Sequence, residues 1–226
     1  MALAIFDLDN TLIAGDSDHL WGEFLCDRGV VNAEAFRATN AAFYADYQRG
    51  ELDIAAYAAF ALGPLAGRTP DSVAGLQSEF MRRCIDPLML PAALRLIDEH
   101  RVRGDRLLII TATNEFITRP IGRRLGIDEL LGCAVEMKDG VFTGRATGTL
   151  TYREGKVRRL REWLEAENEA LAGASFYSDS HNDLPLLEIV DRPVLVDPDE
   201  TLAAIGRERG WEQLTLRRGE EPEPLP

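Results

Sequence analysis

Four short apolar runs constrain this 226-residue chain more than anything else in its sequence: MALAIF (1–6), RLLIIT (106–111), ASFYSD (174–179) and PVLVD (193–197). None shows the polar alternation of a half-exposed strand. Such runs belong to strands covered on both faces, as in a parallel sheet. Between them lie the helical patterns AALRLIDEHRVRG, EFITRPIGRRLG, KVRRLREWLEAEN and DLPLLEIV. Strands alternating with helices predict an α/β fold built on a doubly wound parallel sheet. Pro120 falls early in the second helical pattern, where it is expected to cost the helix little.

One interval breaks the alternation. From Ser17 to about Leu90 there is no strand pattern, only the amphipathic stretches AEAFRATNAAFYADYQRG, ELDIAAYAAFALG and SVAGLQSEFMRRCI. This reads as a helical insertion directly after the first strand, over the edge where open α/β sheets bind ligands. The expected organisation is a core of residues 1–15 and 91–216, a helical insertion of residues 16–90, and a charged, proline-rich tail, 217–226, predicted to be disordered. The stretch CAVEMKDGVFTGRATGTL suggests a hairpin at the sheet margin, turning at KDG.

Charge narrows the partners. A net charge of -13 argues against nucleic acid or an anionic membrane as the main partner and leaves a cation as a plausible ligand. No apolar run approaches the roughly 20 residues of a membrane span, and the N-terminus lacks the basic and apolar regions of a signal peptide, so a cytoplasmic location is expected. Cys26, Cys84 and Cys133 fit neither a disulfide framework nor a zinc site and read as small buried hydrophobes.

The residues at the carboxyl ends of the predicted strands carry the chemistry. The first strand gives Asp7 and Asp9, the second Thr111, and the third Asp179, followed by Ser180 and Asp183; Lys156 opens the helix before the third strand. A parallel sheet gathers its strand ends at one edge. Carboxylates converging there repel one another unless a hard divalent cation joins them, and an all-oxygen ligand set suits Mg²⁺. A lysine and a hydroxyl beside that cation make a phosphate pocket. Taken singly, each residue has a plainer reading: Asp7 and Asp9 as a polar strand end, Lys156 as a solvated helix start, Asp183 as an acid favoured by a helix dipole. His100 reads as a favourable charge at a helix end, and Phe36, Phe43, Tyr44 and Tyr47 as the core of the insertion, part of which could face a ligand.

Together, DLDNTL, the strand ending in Thr111, Lys156 and YSDSHNDLPLL resemble the four ordered motifs of the haloacid dehalogenase superfamily, most of whose members are phosphatases. The helical insertion is similar to the cap of its phosphoserine phosphatase-like branch, and the Rossmann-like core follows from the same resemblance. GDSDHLWGEFL, ITATN and SFYSDSHNDLPLL are similar to a bacterial group assigned as histidinol-phosphatase or phosphoserine phosphatase-like. The resemblance implies Asp7 as nucleophile, forming an aspartyl-phosphate, and Asp9 as general acid and then base. It implies Mg²⁺ held by Asp7, the Asp9 backbone carbonyl and Asp179, with Asp183 orienting water or Lys156. It further implies that Thr111 and Lys156 bind phosphoryl oxygens. On the same resemblance Asn10 is expected as a further phosphate partner and Asn182 as a further substrate partner.

The implied activity is a Mg-dependent phosphomonoesterase acting on a small phosphorylated metabolite. Asp16, nine residues after Asp7, falls where phosphoserine phosphatases carry the acid that binds the substrate amine. Arg37, Arg49 and Arg68 are undistinguished candidates for gripping a substrate carboxylate. Histidinol phosphate, which has an amine and no carboxylate, is therefore favoured over phosphoserine. A phosphate-accepting receiver module uses similar acids, threonine and lysine, but it lacks an acid in the position of Asp9. A phosphotransferase would use the same residues and exclude water, whereas an inert binding protein would have lost Asp7 or Asp9.

Overall fold

The computed structural model describes residues 2–225. Its strands are β1 (Leu3–Phe6), β2 (Arg106–Asn114), β3 (Leu130–Lys138), β4 (Val141–Thr147), β5 (Ser175–Ser178), β6 (Arg192–Val196), β7 (Glu212–Thr215) and β8 (Glu223–Pro224). They form one sheet in the order β4-β3-β2-β1-β5-β6-β7-β8. Every pairing from β3 to β7 is parallel, and only the edge strands β4 and β8 run antiparallel. The fold is thus α/β with a mostly parallel sheet. Successive residues of each central strand are buried on opposite faces. Ile5, Leu108 and Leu195 enter one apolar layer with Val157 and Leu160, whereas Phe6, Ile109 and Val194 enter the other with Ile97 and Ile121. Burial on both faces explains the missing alternation.

The helices are α1 (Ser17–Asp27), α2 (Ala33–Gln48), α3 (Ile54–Leu62), α4 (Pro70–Phe80), α5 (Pro91–Arg103), α6 (Glu115–Arg124), α7 (Glu154–Glu167), α8 (Leu184–Leu187) and α9 (Glu200–Arg209). Helices α1 to α4 make up the insertion. Each begins at a side-chain cap, Asp16, Asn32, Asp53 and Thr69, whose oxygen accepts an otherwise orphaned N–H of the first turn. Where the chain leaves and re-enters the core it is zipped together, with Ile13 bridged to Met89 and Ala14 N–H donating to Leu88 O at 2.9 Å. The insertion therefore rises from the carboxyl edge of the sheet. Strand order reverses direction about β1: β2 and β3 lie to one side, β5 to β7 to the other. That switch point opens the ligand crevice of such sheets.

Several details differ from the sequence reading. Pro120 is the sixth residue of α6, past its first turn, so the helix lacks the N–H that would reach the Phe116 carbonyl. Gln77 of α4 supplies the donor instead, Nε2 to Phe116 O at 2.7 Å, and so ties the insertion to the core. His100 is buried, not a solvated charge. Its Nδ1 lies 2.7 Å from Asp105 Oδ2 and its Nε2 2.8 Å from the Tyr177 hydroxyl, and burial pushes its pKa below the usual histidine value. In the stretch predicted to be a disordered tail, Glu223–Pro224 pair with β7, and Leu225 N–H donates to Gln213 O at 2.9 Å. Proline is tolerated there because an edge strand needs partners on one side only. The KDG turn does close a hairpin between β3 and β4, with Asp139 and Gly140 at φ of 52° and 79°, the left-handed pair that a tight hairpin turn requires.

Removing the Gln77 amide leaves the Phe116 carbonyl without its donor. Gln77→Ala is expected to lower unfolding free energy by about 1–2 kcal/mol in urea titrations. Pro120→Ala restores the helical N–H, so in that background the same change should cost measurably less.

Candidate active site

Four chain segments deliver polar side chains to the carboxyl edge at the switch point. Asp7 follows β1 directly, its N–H still paired with Tyr177 O at 2.9 Å, which extends the ladder one residue and fixes the carboxylate at the sheet edge. Asp9 lies in the turn beyond. Its Oδ1 accepts from Ser17 N–H at 2.7 Å and its Oδ2 from the Thr113 hydroxyl at 2.8 Å, so the carboxylate is held between α1 and β2. Asn10 takes φ 58°, a left-handed conformation that asparagine tolerates, and so lets the chain turn back. Thr111 and Thr113 both line the cavity, at the stretch where β2 shifts register against β3 between Ile110 and Asn114. Thr111 Oγ1 accepts from Thr113 N–H at 3.2 Å, which leaves its own hydroxyl hydrogen to donate.

Lys156 is the central cation. Its ammonium donates to Asp7 Oδ1 at 2.7 Å and lies 2.7 and 2.8 Å from the two oxygens of Asp183. Asp183 is held in turn by the Ser178 hydroxyl at 2.7 Å. The lysine reaches this point because α7 starts close against the preceding loop; a Cβ at Gly155 would collide with the Leu150 carbonyl oxygen. Thr11 links the last acid to the first, its hydroxyl lying 3.1 Å from Asp179 Oδ1 and 3.4 Å from Asp7 Oδ2.

This concentration of acids shows in their proton affinities. Burial raises Asp7 to about 6 against the pull of Lys156. Burial, then the charge of Asp16, raises Asp9 to about 7. Asp179 is pushed well above the carboxylate range by burial and then by Asp7 and Asp183. Burial opposes the Lys156 charge, yet Asp183 and Asp7 outweigh it and lift its pKa above the ordinary lysine value. Among the described residues no group of three acidic, histidine or cysteine side chains forms a ready metal cage. The donor set at the edge is two carboxylates, Asp7 and Asp179. That suits an octahedral oxygen-seeking ion such as Mg²⁺, which keeps several waters and takes one or two carboxylates from a protein.

Above the edge lies a cavity of about 320 Å³, roofed by the insertion. Phe43, Tyr44, Tyr47 and Tyr57 form its walls, so part of the predicted aromatic stripe does face the cavity, while Phe36 stacks on Phe60 at 4.4 Å within the insertion. The roof is fastened by polar contacts. Tyr47 donates to Ser180 Oγ at 3.1 Å, Asn182 Nδ2 to Tyr47 O at 3.1 Å and Arg153 Nη1 to Gly50 O at 2.7 Å.

Asp7, Asp9, Asn10, Asp16, Thr111, Lys156, Asp179, Asn182 and Asp183 all line this cavity. Two of them carry other duties there. Asn182 has both amide arms engaged, its Oδ1 accepting from the Tyr152 hydroxyl at 3.0 Å and its Nδ2 holding the roof. Asp16 Oδ1 caps α1 by accepting from Asp18 and His19 N–H groups at 3.0 and 2.9 Å. None of the three candidate arginines lines the cavity: Arg37 pairs with Glu23 and Asp27, Arg49 with Asp46 and Glu51, and Arg68 donates to Pro64 O. Sequence reasoning missed Thr11, Thr113, Ser178 and Asp18. Thr113 was the most findable, two residues beyond Thr111 in TAT, the spacing that a regular strand puts on one face.

Comparison with known proteins gives these positions a family. Residues 4–188 match the haloacid dehalogenase-like hydrolases. The chain is 44% identical to a histidinol-phosphatase of Neisseria meningitidis, over 95% of this chain and 99% of that one. It is 34% identical to the phosphoserine phosphatase SerB1 of Mycobacterium tuberculosis, over 93% of this chain and 70% of the relative. Among solved structures, a Bordetella pertussis protein described as of unknown function superimposes with a TM-score of 0.89 at 42% identity, covering 95% of this chain and 98% of its own. A substrate-bound phosphoserine phosphatase shares the fold at a TM-score of 0.67 and 16% identity, over 90% of this chain and 89% of that one. The chain therefore belongs to the haloacid dehalogenase-like hydrolase family, as one of its phosphatases.

Proposed function

We propose that this phosphatase hydrolyses a small phosphomonoester whose alcohol carries a positive charge and no carboxylate, with histidinol phosphate the best match. The observation that carries this reading is the charge of the cavity wall: eight acidic side chains line it, and among the described lining residues Lys156 is the only lysine or arginine. Lys156 is already committed to Asp7 and Asp183, leaving one of its three N–H donors for a phosphate oxygen. A substrate carboxylate would meet acids with nothing to neutralise it. That weighs against phosphoserine, and the histidinol-phosphatase relative points the same way.

In this proposal Asp7 attacks phosphorus and forms an acyl phosphate while the ester P–O bond breaks. Asp9, raised toward neutrality, gives its proton to the departing alkoxide. Water then attacks the phosphorus of the acyl phosphate, Asp9 takes a proton from it, and inorganic phosphate leaves with Asp7 restored. Thr113 and Ser17 aim the Asp9 carboxyl, and Asp183 aims Lys156. Thr111 and Lys156 donate to phosphoryl oxygens, with Asn10 at the same rim. Asp7, Asp179 and the Asp9 main-chain carbonyl would hold Mg²⁺, since the Asp9 carboxylate is occupied by Ser17 and Thr113. When bound, the ion would neutralise the acids and the charge that builds on the phosphoryl group.

Asp7→Asn is expected to reduce turnover by more than about 10³-fold while the protein still folds, checked by phosphate release and circular dichroism. Full activity in that variant would remove the nucleophile assignment. EDTA should abolish phosphate release and added Mg²⁺ should restore it. In a panel of histidinol phosphate, phosphoserine and sugar phosphates, kcat/KM should be highest for histidinol phosphate by at least about tenfold, near 1.4 kcal/mol. A larger value for phosphoserine would sink the reading.

A further inference from the structure

The acids of the cavity fall into two groups. Asp7 and Asp183 pair with Lys156, and Thr11 joins Asp179 to Asp7 on that side. Asp18 stands beside Ser17, whose N–H holds Asp9, and against Asn114 at the end of β2. Asp9 is the proposed proton donor to the departing alcohol, so the body of the substrate must extend to the Asp9 side, where Asp18 stands.

Asp18 is hard to explain as structure alone. It occupies the first turn of α1, where a carboxylate suits the helix dipole, but that benefit needs no burial and Asp18 is only 8% exposed. Among the described residues no lysine or arginine pairs with it. Its one side-chain hydrogen bond comes from Asn114 Nδ2 at 3.5 Å, with the Tyr57 hydroxyl near enough to favour the charged form. Burial, then Asp16 and Asp9, raise its pKa to about 8, as expected of a carboxyl that lacks a cation.

A second buried polar group faces the same space. Asn40 is the single buried residue of α2, at 6% exposure, and it lines the cavity. Its amide nitrogen lies 3.1 Å from His19 Nδ1, and among the described residues its side-chain carbonyl oxygen has no donor. That oxygen is therefore free to accept from a ligand N–H in the cavity. Phe43, Tyr44 and Tyr57 add aromatic faces, which attract cations and planar rings.

We infer that Asp18 and Asn40 form the subsite that receives the cationic, N–H-bearing head of the substrate, and thereby select which phosphate ester is hydrolysed. Asp18 supplies the opposing charge, and the Asn40 carbonyl accepts the N–H. The subsite rests on the reading that the substrate is a cationic phosphomonoester, and it assigns that preference to particular side chains outside the reacting atoms.

The test compares phosphoethanolamine with propyl phosphate, its near-isostere without the charge, and runs histidinol phosphate in parallel. The wild-type enzyme should favour phosphoethanolamine over propyl phosphate at least tenfold in kcat/KM. Asp18→Asn should lower that ratio at least tenfold, chiefly through KM of the cationic esters. Asn40→Leu should raise KM for histidinol phosphate more than it lowers kcat. An equal loss on both esters in Asp18→Asn would overturn the subsite, because a purely structural role has no reason to distinguish them. A wild-type preference that survives both substitutions would overturn it as well. No cation preference in the wild type would overturn both the subsite and the substrate reading. A cation preference erased by Asp18→Asn, without useful hydrolysis of histidinol phosphate, would uphold the subsite and remove histidinol phosphate alone.

Discussion

The ion pair of Lys156 with Asp7 and Asp183 makes the rest of the site possible. Acids at the ends of β1 and β5 are drawn together by the parallel sheet, and without a cation their mutual repulsion and desolvation would work against the fold. Lys156 arrives from a helix that is itself placed by the close approach of Gly155 to the Leu150 carbonyl. Ser178 then locks Asp183, so the lysine has one position. Losing one partner of such a buried arrangement costs about 3–5 kcal/mol, because a charge is left uncompensated. In the proposed mechanism the pair therefore serves stability and function at once.

The gathering of acids and hydroxyls at one edge was legible in the sequence because its geometry is imposed by topology. Unalternating runs indicate a parallel sheet, and a parallel sheet places Asp7, Thr111 and Asp179 at one edge whatever lies between them. Thr113 follows the same rule, and the strand period could have found it. Contacts between distant surfaces were less legible. No pattern in the sequence says that Asn182 would be engaged by Tyr152 and Tyr47, or that Gln77 would replace the donor missing at Pro120. His100 was misread because a helix end looks solvated until Tyr177 and Asp105 are seen packed around it. The arginine question needed three dimensions too, since Arg37, Arg49 and Arg68 all find partners within or beside the insertion.

The two halves of the cavity divide the work by where their charge comes from. On the Lys156 side the protein supplies the cation itself. On the Asp18 side it supplies acids, an amide and aromatic faces, and in the proposed reading the balancing charge arrives with the substrate. A cavity arranged this way is electrostatically unfinished until its ligand enters.

The hydrogen bonds that close the roof over the cavity join groups water could also serve: a tyrosine hydroxyl on a serine, an amide on a carbonyl and a guanidinium on another carbonyl. Water can take the place of each partner, so parting this seam exposes groups that are already content in solvent, at roughly 1 kcal/mol per bond. A greasy seam would behave otherwise, clinging more tightly as the temperature rises from the cold and releasing its product reluctantly. The rim at Tyr47 and Gly50 is thus the wettable edge of an insertion whose other side is anchored in the apolar layer through Trp21 and Phe80, packed with Phe116 of the core.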